Sequence, residues 1–241
     1  MCRMIIAVGG FSYQDIFLSL QKMASAETAN NEYVDEGKAF CHYDGWGAAY
    51  LKDGMWSTHK SLTKVVVDVL PEDLFPTTAL ALHARAATVG DETLENTHPF
   101  VHQETGLILF HNGTIQIPPE PVLLKPKGHT DSEKLFLCIV EHVLEGMSVP
   151  DAIDKELSQL EEFWGANLIV LTKTHAFVTV LHKITPRYYT MHLGVSDVAT
   201  ILSSELVPIE GVTWTPVENK SLIKINLDDA SFEVHHFPNW G

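Results

Sequence analysis

The chain is poor in cysteine and in basic residues, and it has no long apolar run. Its three cysteines, Cys2, Cys41 and Cys138, are an odd number with no Cys-x-x-Cys pair. That excludes a disulfide framework or a zinc ribbon and points to a reducing, cytoplasmic compartment. Lys and Arg number 16 against 31 Asp and Glu, a formal charge of -15. No basic cluster interrupts this acidity, so neither nucleic acid nor a membrane surface is an expected partner. The opening Met-Cys-Arg-Met-Ile-Ile-Ala-Val-Gly-Gly carries one basic residue, and its apolar stretch is too short for a signal peptide or a membrane span. The 13 histidines form no Cys/His cluster with ligand spacing, so no metal and no cofactor are expected. No repeat, low-complexity tract or Gly/Ser/Pro-rich boundary divides the chain, which implies one domain over residues 1–241.

What is present suits a folded core, with 45% hydrophobic and 20% charged residues. Residues 4 to 8 are apolar and end at Gly9-Gly10, the pattern of a short buried strand that would hold position 2 on a rigid element. Ile16, Phe17, Leu20 and Met23 follow at helical spacing. Strands are expected at 46–51, 64–70, 79–84 and 106–111, where β-branched and aromatic residues alternate with breakers. Helices should run from Asp131 to about Leu144 and from Pro150 to about Phe163. Strands return at 167–171, 176–181, the Tyr188-Tyr189 run, 198–202, 222–226 and 232–237. Strands, then helices, then strands, with no linker, is an α+β layer pattern.

Cys2 is the residue with the most chemical information. Removal of Met1 would put a thiol and a free α-amine on one residue, and an α-amine, which ordinarily titrates at about 7.7–8.0, can take the thiol proton near neutrality. Nucleophile and base would then be joined covalently. The competing reading, a small apolar residue opening a strand, is about as good for Cys2 taken alone.

Further segments bear on that choice. In chain order they are Met1-Cys2-Arg3, His42-Tyr-Asp-Gly-Trp-Gly47, His83-Ala-Arg-Ala-Ala-Thr88, Asn96-Thr-His-Pro-Phe100, Phe110-His-Asn-Gly-Thr114 and Thr130-Asp-Ser-Glu133, with Ser203-Ser204-Glu205 later. In order and spacing these resemble the class II glutamine amidotransferases, a family of N-terminal nucleophile hydrolases, and in particular its stand-alone Met-Cys-Arg branch. The match covers roughly the first 135 residues, and the joint occurrence is far more specific than any one motif.

The resemblance implies a four-layer αββα sandwich and an amidohydrolase of glutamine or a γ-glutamyl amide, acting through a γ-glutamyl thioester on Cys2. It makes Asn112 and Gly113 the oxyanion hole, although Asn-Gly after an apolar run is by itself usually a hairpin turn. It makes Arg85 the clamp for the substrate α-carboxylate, helped by Thr88, where a lone Arg at a strand end could simply mark the exit to water. Asp131 would accept from the substrate α-ammonium, and Thr130-Asp-Ser-Glu133 also reads as a capping box. His98 reads as a loop-positioning residue, and Gly45-Trp-Gly47 as a place where a strand approaches the nucleophile closely. Cys41 and Cys138 are expected to pack as small hydrophobes.

One departure stands out: Ala86 follows Arg85 where synthase-feeding members often carry an aromatic residue, which bears on the cover over the substrate. The alternatives are a glutaminase subunit supplying ammonia to a separate synthase, an acylase that also starts at Cys2, and a catalytically silent binding domain. A homodimer is a further possible partner state.

Overall fold

Every residue from Cys2 to Val8 is buried, yet the side chains go to two different cores. Met4, Ile6 and Val8 enter one apolar cluster, and Ile5 and Ala7 enter another. A strand covered on both faces must be interior to a layered structure. The protein's structure is a computed structural model that describes residues 2–71, 74 and 76–240. Met1, whose removal the nucleophile reading requires, lies outside the described residues.

This first strand, β1 (Cys2–Gly9), pairs antiparallel with β4 (Ala79–Arg85) on one side and β10 (Ala199–Ser203) on the other. The sheet continues through β2 (Trp46–Lys52) to β3 (Met55–Ser61), and through β9 (His192–Val195) to β11 (Thr213–Pro216). A second sheet has the order β13 (Phe232–His236), β12 (Ser221–Asn226), β8 (His175–Val180), β7 (Phe163–Leu171), β6 (Leu107–Ile115), β5 (Phe100–His102). Met4, Ile6 and Val8 meet Ile108 and Phe110 between the sheets.

Helices close the outer faces. On the first sheet, α1 (Tyr13–Ala24) lays down Ile16, Leu20 and Met23, and Ser12 caps it by accepting from Asp15 N–H. On the second, α3 (Asp131–Leu144) and α4 (Val149–Ser158) cover the opposite faces of β6 and β7. Two one-turn helices, α2 (Glu32–Asp35) and α5 (Pro186–Tyr189), lie beside each other. Helix, sheet, sheet and helix form the expected αββα sandwich.

Several local expectations change. The 64–70 segment is no strand: residues Val65–Val67 make a single 3-10 turn, with Val65 buried and Val67 73% exposed. The partner of β2 is instead β3, whose exposed and polar face hides its periodicity and which is joined to β2 by Asp53-Gly54, both at positive φ. Tyr188-Tyr189 belongs to α5, started by Pro186, rather than to a strand. The second helix stops at Ser158, and Phe163 already opens β7. Asn112-Gly113 does not make the hairpin turn that the pair alone would suggest, because β6 runs through it to Ile115. Cys138 is buried, but Cys41 is exposed in the loop before β2 and so is not a packed hydrophobe.

Gly47 is where two segments come closest. A Cβ there would lie 2.0 Å from the His98 carbonyl oxygen and 2.8 Å from that of His59. The close approach is thus to the backbone at His98, not to the nucleophile. Gly47→Ala is expected to cost about 1–3 kcal/mol, the usual range for overpacking, read as a lower urea midpoint at unchanged m-value. A midpoint equal to wild type would show that this approach is not tight.

Candidate active site

Cys2 opens β1 directly opposite Arg85, the last residue of β4. Its carbonyl accepts from Arg3 Nη1 at 3.4 Å and from Tyr188 Oη at 3.3 Å. Arg3 is only 1% exposed. Its guanidinium lies 3.8 Å over the Tyr188 ring, and Nε is 2.7 Å from Glu205 Oε1. That ion pair is a charge contact without the alignment of a hydrogen bond. The other Glu205 oxygen accepts from Thr28 Oγ1 at 2.6 Å. Ser204 bonds both ways with Met4, accepting its N–H on Oγ and donating its own N–H to the Met4 carbonyl, each at 3.0 Å. The Ser203-Ser204-Glu205 segment therefore secures the start of β1. Of these groups, Arg3 and Glu205 appeared in the sequence motifs without an assigned role.

Beside the nucleophile, Cys2 N donates to Asn112 Oδ1 at 2.9 Å. Asn112 is fully buried, and its Nδ2 has no partner. A buried amide donor left open requires an explanation, and a place for a ligand oxygen is one. Gly113 follows in β6, where a Cβ would fall 1.8 Å from the Gly165 carbonyl oxygen, so only glycine fits. The Cys2 thiol lies 3.9 Å from the Ala86 carbonyl. Burial pushes this thiol up, but the opposing charges of His83 and of the N-terminus lead the influences that bring it down to about 6. His83 received no role from the sequence. The available signal was its place two residues before Arg85 on a strand, which puts both side chains on one face.

Of the expected head-group residues, Thr88 and Asp131 meet at one cavity and Arg85 does not. A cavity of about 620 Å³ is lined by Thr88, Val89, Thr114, Asp131, Lys134 and Trp164, among others. Thr88 Oγ1 and Thr114 Oγ1 are 3.1 Å apart. Arg85 is 3% exposed and does not line the cavity. Its guanidinium donates to the carbonyls of Val89 and Gly90 at 3.0 Å each and of Asp91 at 3.2 Å. It shapes the loop that contributes Val89 to the cavity wall. Asp131 accepts from Ile115 N–H at 2.7 Å on one oxygen and from Ser132 N–H at 2.9 Å on the other. Thr130 caps α3 by accepting from Glu133 N–H, while the Glu133 carboxylate turns to the N–H groups of Lys127 and Gly128. The capping box is thus half formed.

Several histidines surround the centre. His42 Nε2 is 3.1 Å from Tyr188 Oη, and burial holds its ring neutral by pushing its pKa well below the usual value. His98 is lowered in the same way and packs its ring 4.2 Å from that of His83, with both ring nitrogens unpartnered. His98 and His102 have the His-x-x-x-His spacing, but the intervening chain enters strand β5 rather than a helix. Among the described residues no three His, Cys, Asp or Glu side chains gather as a metal site.

Comparison with known proteins supplies independent evidence. The family model for glutamine amidotransferases class-II matches residues 1–181. A Haemophilus influenzae protein provisionally named a glutamine amidotransferase is 27% identical over 149 residues, covering 56% of this chain and 51% of that protein. The glutamine–fructose-6-phosphate aminotransferase of Clostridium acetobutylicum is 27% identical over 175 residues, covering 69% of this chain and 28% of that one. The chain thus spans about half or less of the length of these curated relatives. In fold it is similar to glutamine phosphoribosylpyrophosphate amidotransferase from B. subtilis, with a TM-score of 0.69 at 18% identity over 98% of this chain and 49% of that one. It is also similar to the structure of a protein from Pseudomonas aeruginosa titled a predicted glutamine amidotransferase, with a TM-score of 0.60 at 14% identity over 96% and 94% of the two chains.

Two outcomes are expected. Glu205→Ala would leave the Arg3 guanidinium buried without a counter-charge and cost roughly 3–5 kcal/mol, measured by chemical denaturation; a loss below about 1 kcal/mol would mark the pair as dispensable. Alkylation of Cys2, followed by mass spectrometry, should rise with pH through a midpoint of about 6 as the thiolate forms. A midpoint at the free-cysteine value of about 8.5 would contradict the depressed pKa.

Proposed function

Because the chain belongs to the class II glutamine amidotransferases, we propose that it hydrolyses the side-chain amide of glutamine or of a γ-glutamyl amide, with Cys2 as the nucleophile. The observation that carries this reading is the placement of Asn112. Its Oδ1 holds the nitrogen of Cys2 while its buried Nδ2 stays open beside a thiol of depressed pKa.

In this reading the ionised Cys2 sulfur attacks the amide carbon, and the carbonyl oxygen becomes negative. Asn112 Nδ2–H and the Gly113 backbone N–H stabilise that oxygen, an interaction worth about 2.7–4 kcal/mol per donor at the transition state. The α-ammonium of Cys2, free once Met1 is removed, gives a proton to the leaving nitrogen as the C–N bond breaks and a γ-glutamyl thioester remains. The neutral amine then takes a proton from water, hydroxide attacks the thioester, and glutamate leaves as the C–S bond breaks.

In this reading the head group is held by Asp131 at the cavity wall and by Arg85, which stands behind that wall and is reached past its 89–91 loop. The bonds of Arg85 to residues 89–91 use three of its five N–H donors, leaving Nε and one Nη1 donor for a carboxylate. Asp131 is fixed by two backbone N–H groups and stands at the cavity wall, where it can accept from an ammonium. The alternative reading is an ammonia-supplying role toward a separate synthase. Glutaminase activity that is low alone and rises with such a partner would select that role.

The intact mass should be measured before and after incubation with 6-diazo-5-oxo-norleucine. Loss of Met1 and one adduct, mapped to Cys2 and abolished by Cys2→Ala, is the expected result, and a retained Met1 with no adduct would overturn the reading. Asn112→Ala should lower kcat for glutamine hydrolysis by roughly 10²–10³ with little change in KM; an unchanged kcat would remove Asn112 from the oxyanion hole.

A further inference from the structure

An acceptor for a substrate ammonium needs a free lone pair, and the hydrogen bonds around Asp131 decide how many it keeps. A carboxylate offers about four lone-pair sites. The Ile115 N–H takes one on Oδ2 at 2.7 Å, and the Ser132 N–H takes one on Oδ1 at 2.9 Å. A third claimant is the Ser132 hydroxyl, whose Oγ lies 3.3 Å from Oδ1. The same Oγ lies 2.8 Å from His111 Nδ1. A hydroxyl has a single hydrogen, so it donates to the carboxylate or to the ring, and the state of the ring settles which.

His111 stands in β6 directly before Asn112, and both it and Ser132 are buried. Residues two apart on a strand share a face, so the ring lies over Gly113. A Cβ on that glycine would fall 2.4 Å from His111 Nε2, and the ring fills the room that the missing side chain leaves. From there it reaches Gly165 of β7 with one nitrogen and Ser132 of α3 with the other. Nε2 is 3.4 Å from the Gly165 carbonyl oxygen, which can only accept, so Nε2 carries the hydrogen. Burial lowers the pKa of this ring from the usual histidine value and favours its neutral form. Nδ1 is then a bare acceptor, and the shorter contact draws the Ser132 hydrogen to it.

We propose that His111 is a positioning residue for head-group recognition: its Nδ1 holds the Ser132 hydroxyl as a donor, keeps that hydroxyl off Asp131, and so leaves Oδ1 open to the substrate ammonium. The role rests on the reading of Asp131 as the ammonium acceptor. Without an acceptor at Nδ1 the hydroxyl turns to Oδ1, and three of the roughly four lone-pair sites of the carboxylate are filled before substrate arrives. Side chains alternate along a strand, so β6 serves both halves of the site, sending Asn112 to the nucleophile from one face and His111 toward the head-group acceptor from the other.

The test is His111→Leu, which removes the acceptor at similar volume. KM for glutamine should rise at least about tenfold, the scale of one hydrogen bond to a charged group, with kcat changed less than about twofold. Adding Ser132→Ala to that variant removes the competing hydroxyl and should bring KM back to within about threefold of wild type. An unchanged KM in His111→Leu, or a double variant as impaired as the single one, would overturn the proposal while leaving Asp131 its role. Asp131→Asn tests that role separately: a wild-type KM there would remove the underlying reading, and the proposal with it. Should His111→Leu fail to fold, ¹⁵N spectra of the His111 ring in the wild-type protein provide the second measurement. Nε2 should be protonated and Nδ1 bare, and a protonated Nδ1 would overturn the proposal.

Discussion

A guanidinium that leaves water has to find a counter-charge, and Arg3 leaves water almost completely. It meets Glu205, lies on the Tyr188 ring and reaches back to the carbonyl of Cys2. These contacts tie the start of β1 to the segment after β10 and to α5, elements that come together only when the whole first sheet has formed. Cys2 is consequently held by the fold rather than by local chain stiffness, and its exact neighbours follow from that anchorage. The side chain that follows a nucleophile is usually a detail, but here it sets the position of the first residue of the central strand.

With β1 fixed, the chemistry depends on the separation of donors and acceptors in a site with little water. Electrostatic interactions strengthen as the local dielectric falls, so a few fixed polar groups can dominate a buried thiol. Asn112 presents its oxygen to Cys2 N and leaves its nitrogen open, while His83 presents its hydrogen to His111 and leaves its acceptor open. Both side chains are oriented by the bond they already make. Such preorganisation means that charge developing at the sulfur or at a bound oxygen finds its partners in place. The head-group residues follow the same logic at a distance, with Arg85 and Asp131 each anchored on backbone groups beside the cavity.

Much of the fold is legible in the chain because its periodicities are strong where both faces of an element are buried. They place β1, β4 and the α3 helix within a residue or two. The misreadings share a cause. The Val65–Val67 run looks like a strand but pairs with none among the described residues, and β3 pairs along its full length while showing mostly polar residues. Tyr188 and Tyr189 are buried without belonging to a sheet. In each case the partner, not the propensity, decided the outcome, and a partner distant in sequence leaves no local mark.

The order of motifs along the chain was enough to determine the family, the αββα architecture and a short set of candidate residues, because a chemical group must be present in the sequence before it can be placed. The tertiary structure alone decided how those groups are used. It placed Asn112-Gly113 in the interior of a strand, set Arg85 against its own loop, paired Arg3 with Glu205, and put His83 on the Cys2 face of the sheet. Each of these depends on which side chains share a face across strands far apart in sequence, and on how much water is removed from between them. Neither quantity exists until the two sheets have closed on one another.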